Sequence, residues 1–192
     1  VLGSLYFINN IRHVAINARS RKQVLINAIL FLVTFLSFFI WTLCAKGFAV
    51  HPETGEVYMQ NAKYFHNLIE MPPIGIMLLV GVVALLYGIG IGVFCSRSTK
   101  GIWFAGLGTV LAVLSLLLIL GYNNTAFYPS VSDLQSSLTI RNSSSSLFTL
   151  KVMSVVSLFI PVVLAYIFYA WRMMDKKQID TNELNNNHNP QY

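Results

Sequence analysis

The chain has very little charge. Only 10% of its 192 residues are Asp, Glu, Lys or Arg, against roughly a quarter in a soluble domain, so the sequence cannot coat a water-exposed surface. Cysteine is almost as scarce. Cys44 falls at the outer end of one apolar run and Cys95 at the inner end of the next, a bilayer apart, which excludes a disulfide between them. There is no Gly-rich phosphate loop, no paired-cysteine motif and no basic patch interleaved with aromatics, so nothing in the sequence supports nucleotide or nucleic-acid binding. Four apolar runs lack Asp, Glu, Lys, Arg and His altogether. An embedded ion site or proton relay needs an ionisable group facing the bundle interior, and these runs offer none.

Hydrophobic residues are what the chain does have: they make up 55% of it. They are gathered into runs of about 20 residues, the length that crosses ~30 Å of hydrocarbon at ~1.5 Å per helical residue. The runs cover residues 24–44, 74–95, 101–121 and 152–171. The expected fold is all-α, a polytopic transmembrane helical bundle with four complete spans. Val1 opens the chain in place of Met, so upstream sequence is expected. Residues 1–11 then read as the end of a truncated span, with an interfacial helix as the alternative. The expected organisation is this end plus a basic loop over 1–23, a bundle over 24–171 with outer loops at 45–73 and 122–149, and a disordered tail over 172–192.

Charge placement sets the orientation. If Arg12, Arg19, Arg21 and Lys22 are inside, the alternation of spans places Arg97, Lys100, Arg172, Lys176 and Lys177 inside as well, nine of the 13 basic residues. Lys46, Lys63, Arg141 and Lys151 remain outside, so the positive-inside rule makes the C-terminus cytoplasmic. The formal net charge of +6 therefore reads as a topology signal. Trp41, Trp103, Tyr122 and Trp171 stand near span ends, as interfacial anchors do.

In the first outer loop, Tyr58, Ala62, Phe65 and Ile69 recur at helical spacing, which predicts a short helix on the outer surface with these residues on one face. His51 and His66 share that loop with Glu53, Glu56 and Glu70, but their spacing matches no ligand motif and reads as solvated polarity. The second outer loop is rich in Ser, Asn and Thr. Ser145 and Ser146 are placed to cap the final helix, and Asn142-Ser143-Ser144 fits a glycosylation triplet that is common by chance. Asn185, Asn186 and Asn187 in the tail offer nothing to bury.

Within the bilayer, small residues mark where helix backbones can meet. Gly81, Ala84, Gly88 and Gly92 form one stripe, and Ala105, Gly108, Ala112 and Ser115 form another on the next run. The short link between the runs predicts a close antiparallel hairpin, although glycine is also simply frequent in membrane helices. Pro161 removes a backbone donor and predicts a kink. A haem would need an axial His, Met, Cys or Tyr, yet His13, His51, His66 and His188 all lie outside the runs. Met77, Met153, Tyr87, Tyr166 and Tyr169 read as packing residues.

One stretch carries a resemblance. Ser137-Leu138-Thr139-Ile140, then Ser145-Ser146 with Thr149-Leu150 and Met153, followed by Pro161, Val163-Leu164, Tyr166 and Trp171, resembles the C-terminal signature of subunit II of the bacterial cytochrome bd quinol oxidase. Phe127-Tyr128-Pro129, the loop leading to Pro72-Pro73 and the basic stretch after residue 11 are placed similarly, so the likeness covers almost the whole chain, as the C-terminal half of that subunit. It implies a complex in the bacterial cytoplasmic membrane that oxidises quinol and reduces dioxygen. The b and d haems would belong to the partner, subunit I, and this segment would bind no cofactor. A small accessory subunit is compatible with it, and membrane lipid is the remaining partner. The signature residues then have structural roles: Ser145 or Ser146 capping, Thr149 in the first turn, Pro161 bending, and Trp171 with Arg172 anchoring the inner end. A competing reading is part of a secondary transporter or permease, whose sites use broken helices and midplane polar groups; Pro161, Ser115 and Ser157 are its candidates. An accessory membrane protein with no reaction of its own is a third.

Overall fold

In the computed structural model, which describes residues 1–95 and 98–174 and the backbone of 179–180, most of the chain is helical. Among the described residues four helices are long and apolar enough to cross a membrane: Val14–Cys44, Pro72–Phe94, Gly101–Gly121 and Leu147–Met174. In chain order the elements are α1 (Leu2–Asn10), β1 (Ile11–Arg12), α2 (Val14–Cys44), a hairpin of β2 (Gly47–Val50) and β3 (Val57–Gln60), α3 (Lys63–Glu70), α4 (Pro72–Phe94), α5 (Gly101–Gly121), α6 (Ile140–Ser143), α7 (Leu147–Ser157), α8 (Ile160–Met174) and β4 (Ile179–Asp180).

The first span is longer than its apolar run. His13 caps α2 through its imidazole, which accepts from the Ile16 N–H at 3.4 Å. Arg19, Arg21 and Lys22, expected in a loop, are therefore helical. Their long stems can run along the helix while the charged heads reach the interface, so charge ends the hydrophobic run without ending the helix. Helix α1 is packed into the bundle. Leu5 and Ile8 are buried with Val24 and Ala28 of α2, Leu85 and Ile89 of α4 and Ala105 of α5.

Helix α4 starts with Pro72 and Pro73, where a missing N–H costs nothing because the first turn has no acceptor for it. It turns back into α5 to make the tightest helix pair in the molecule. At the C-terminal end of α4 the Arg21 guanidinium donates to the Gly92 carbonyl at 2.6 Å and the Cys95 carbonyl at 3.0 Å. These are C-terminal carbonyls with no partner in their own helix.

Over the C-terminal ends of α2 and α5 lies a small cap. β2 and β3 pair antiparallel with Val50 opposite Val57, and both valines are buried with Ala126. The outer surface departs from the sequence expectation. Tyr58 is on a strand, and Ala62 takes a left-handed conformation with φ 50°, so the helical spacing through Tyr58 and Ala62 does not continue one helix. On α3 it is Lys63 and Asn67 that are buried, while Phe65 and Ile69 are exposed. The bundle sits beneath the polar face because Asn67 has backbone and side-chain partners there.

The last span begins at Leu147, earlier than its expected start, and is interrupted. Leu158 and Phe159 donate to carbonyls three residues back, at 3.1 Å and 3.0 Å, and α8 resumes at Ile160. Pro161 has no N–H to give to the residue 157 carbonyl and its ring crowds that carbonyl, which breaks the α-helical ladder at this point. No residue of α7 or α8 is buried. The tail expected to be disordered includes β4, whose backbone runs parallel to β1, Ile179 beside Ile11 and Asp180 beside Arg12. Arg97, Lys176, Lys177, Asn185, Asn186, Asn187 and His188 lie outside the described residues.

Candidate functional site

Two regions concentrate the sequence-predicted residues: the α4–α5 seam and the cap over the end of α5. In the seam, Gly81, Gly88 and Gly92 of α4 are buried, as are Ala105, Gly108, Ala112 and Ser115 of α5. Ala84 is only half-buried, and Leu85 takes the interface position beside it. A Cβ at Gly88 would stand 2.6 Å from the Gly101 carbonyl oxygen, and one at Gly108 would stand 2.6 Å from that of Gly81. The backbones are thus in direct contact. Gly92 abuts Leu5 of α1 rather than α5 alone. Gly101 belongs to the same seam; as the first residue of its run it looks like a loop glycine in sequence. Tyr87 and Phe104 close the seam's flank edge to face, their centroids 5.1 Å apart. The Ser115 hydroxyl is used up on its own helix, donating to the Leu111 carbonyl at 2.7 Å.

The cap is held by Asn67. Its amide donates to the Ile119 carbonyl and to Thr125 Oγ1, both at 2.9 Å, and accepts from Asn123 Nδ2 at 3.2 Å. It thereby ties α3 to the end of α5, where one carbonyl has no helical partner. Burial holds the Lys63 ammonium below its ordinary pKa, with Glu70 opposing the shift, and raises the Tyr64 phenol. Gln135 joins the second outer loop to the hairpin, donating to the Val57 carbonyl and accepting from the Val57 N–H, each at 3.0 Å. Neither Asn67 nor Gln135 stands out in sequence, because both are ordinary polar residues in polar segments.

The signature residues divide between the cap and the last span. Leu138 pairs with Tyr128, its N–H donating at 2.9 Å, so two distant parts of the signature are neighbours in space. Ser137 and Thr139 are buried. Ser137 Oγ accepts from the Ser130 N–H at 3.0 Å, and Thr139 forms a capping box with Asn142. Ser146 is the cap of α7, with Thr149 Oγ1 at 3.0 Å, while Ser145 precedes it. Met153, Pro161 and Trp171 are exposed on the last span and are not brought together with the cap.

A cavity of about 470 Å³ opens between the end of β2, the turn after α5 and α6. A second, of about 790 Å³, lies along α1, α2, α4 and α5 beside Asn27, Thr34 and Thr109. Three of the four histidines are among the described residues. His13 is a helix cap and His51 accepts from the Thr54 N–H in the hairpin turn, at 3.4 Å. His66 is exposed on α3, so none of the three lies in the hydrophobic stretch of a span. Among the described residues no three of His, Cys, Asp and Glu are grouped to hold a metal ion. Cys44 and Cys95 are free thiols.

Among the described residues the geometry is that of four helices of membrane-spanning length with a structured cap at one end. No match is found among curated proteins. Residues 1–174 match the family model described as cytochrome bd terminal oxidase subunit II, whose members are subunits of haem-containing oxidases with a subunit I as partner. That match spans the bundle, the cap and the last span together, and the chain belongs to the cytochrome bd terminal oxidase subunit II family.

Proposed function

We propose that this chain is a non-haem scaffold of a cytochrome bd quinol:oxygen oxidoreductase, with its last span packed against the haem-bearing subunit I. The observation that carries this is the α7–α8 helix: it is long and apolar enough to cross a membrane, yet none of its residues is buried within the chain. Spanning helices in a complex associate by close packing, and the partner that the family supplies is subunit I. On this reading quinol oxidation and oxygen reduction take place at the b and d haems of subunit I, and no residue of this chain is catalytic. The complex sits in the bacterial cytoplasmic membrane with the basic end of α2 and the C-terminus inside. The side-by-side placement of β1 and β4 supports a common side for those two segments.

The test is to express the oxidase operon, purify through a tag on this chain and record the reduced-minus-oxidised optical spectrum. A photo-crosslinker placed at Val155 or Phe159 should join the chain to subunit I in the same preparation. Purification without a haem-bearing partner would refute the oxidase role. Crosslinking only to lipid would refute the packing of the last span.

A further inference from the structure

We propose that the cavity at the outer end of α5 binds the phosphodiester headgroup of an anionic phospholipid from the outer leaflet. The cavity is about 470 Å³, within the range of small-ligand sites. Gly121 and Tyr122 in its wall mark where a spanning helix leaves the bilayer, so it opens at headgroup depth. Tyr122 and Ile140, both about half exposed, offer apolar surface for the glycerol and the first methylenes.

The lining carries one permanent cation, Arg141, and no carboxylate. Arg141 and His51 are in the wall, and no Asp or Glu is. Glu70 is nearby but is not part of the wall and accepts a hydrogen bond from Asn123 Nδ2; Glu53, next to Pro52, is also outside it. Arg141 Nη1 donates to the Pro52 carbonyl at 3.3 Å. That carbonyl is its one hydrogen-bond partner among the described residues, which leaves most of the guanidinium fork free for a bidentate contact with phosphate oxygens. Thr139 Oγ1 accepts from the Asn142 N–H at 3.2 Å, so its own proton remains to be donated.

Arg141 is also held in place. Its helix α6 is fixed by the Thr139–Asn142 capping box, and Asn142 Nδ2 donates to the Ser137 carbonyl at 2.9 Å. The Ser137-Leu138-Thr139 stretch thereby acts as the mount for this arginine. Asn123 and Asn124 on the opposite wall both have positive φ, 56° and 50°, a strained pair kept at the cavity rim. The sequence places Arg141 on the outer side, where the charge bias disfavours basic residues.

The oxidase complex, purified through a tag on this chain and delipidated, is titrated with phosphatidylglycerol, with phosphatidylcholine or with inorganic phosphate, and bound lipid is counted by native mass spectrometry. The wild type should hold one phosphatidylglycerol in preference to phosphatidylcholine. Arg141→Gln should weaken it roughly tenfold or more, the range of a lost hydrogen bond to a charged group. Arg141→Lys should fall between the two, because an ammonium lacks the fork, and it carries the test should the Gln variant fail to assemble. Lys151→Gln, a cation of the same side outside the cavity, should leave binding unchanged. Equal loss in Lys151→Gln, no loss in either Arg141 variant, or full displacement by inorganic phosphate would each overturn the proposal.

Discussion

At the scale of single residues, the seam and the cap respond to opposite errors. Gly88 has no room for a side chain, so Gly88→Ala forces the α4 and α5 backbones apart at a cost of roughly 1–3 kcal/mol. Gly90 and Gly106 have nothing within 4 Å of an added Cβ, and their alanine variants should keep the wild-type melting temperature in detergent. Equal melting of all three would remove the seam from the account. Lys63 gives a pH signature. Its folded-state pKa is lowered from 10.5 by burial, so the unfolded chain holds that proton more tightly. The group's contribution to stability therefore rises with pH up to 10.5. Tyr64, raised above 10.0 by burial, acts the other way: its contribution falls once pH exceeds 10.0. Lys63→Met should flatten the rise on the alkaline side below 10.0, as read from melting temperature against pH. In sequence the seam residues appear as small residues at helical spacing, although glycine is also frequent in membrane helices. Asn67 and Lys63 were not legible there, since their burial depends on which face α3 turns down.

At the scale of elements, the ends of helices matter more than their apolar middles. Arg21 on α2 supplies donors to two terminal carbonyls of α4, a charge-assisted contact that also suits the negative end of the helix dipole. Arg21→Met should cost roughly 1.5–3 kcal/mol and speed amide exchange in the last turn of α4, while leaving the first turn unchanged. In the last span, Pro161→Ala returns the donor that the ladder lacks. Slower amide exchange across Leu158 to Val162 is the expected result, as α7 and α8 become one helix. The proline is visible in sequence, but the position of the break, one turn earlier at Leu158 and Phe159, follows from where the missing hydrogen bond would have been accepted. The hairpin of β2 and β3 was missed because its alternation is short and Tyr58, Ala62, Phe65 and Ile69 happen to match a helical period.

At the scale of the whole molecule, two kinds of assembly stand side by side. Helices α1, α2, α4 and α5 have a common buried core, whereas α7–α8 has none. Expressed without subunit I, the chain should lose monodispersity in mild detergent, and co-expression should restore a single size-exclusion peak. A stable helical monomer would contradict the proposed role of the last span.

The sequence alone determined that the chain crosses the membrane, since apolar runs of spanning length with no charge have no other stable environment. It also marked the small-residue stripes and the proline, because each acts through its own backbone. Only the tertiary structure decided which polar residues are buried in the cap, that Arg21 reaches α4, and that Arg141, hydrogen-bonded to the Pro52 carbonyl, lines a cavity. These depend on groups distant in the chain meeting at one place, and on which face of an element turns inward, which local periodicity does not encode.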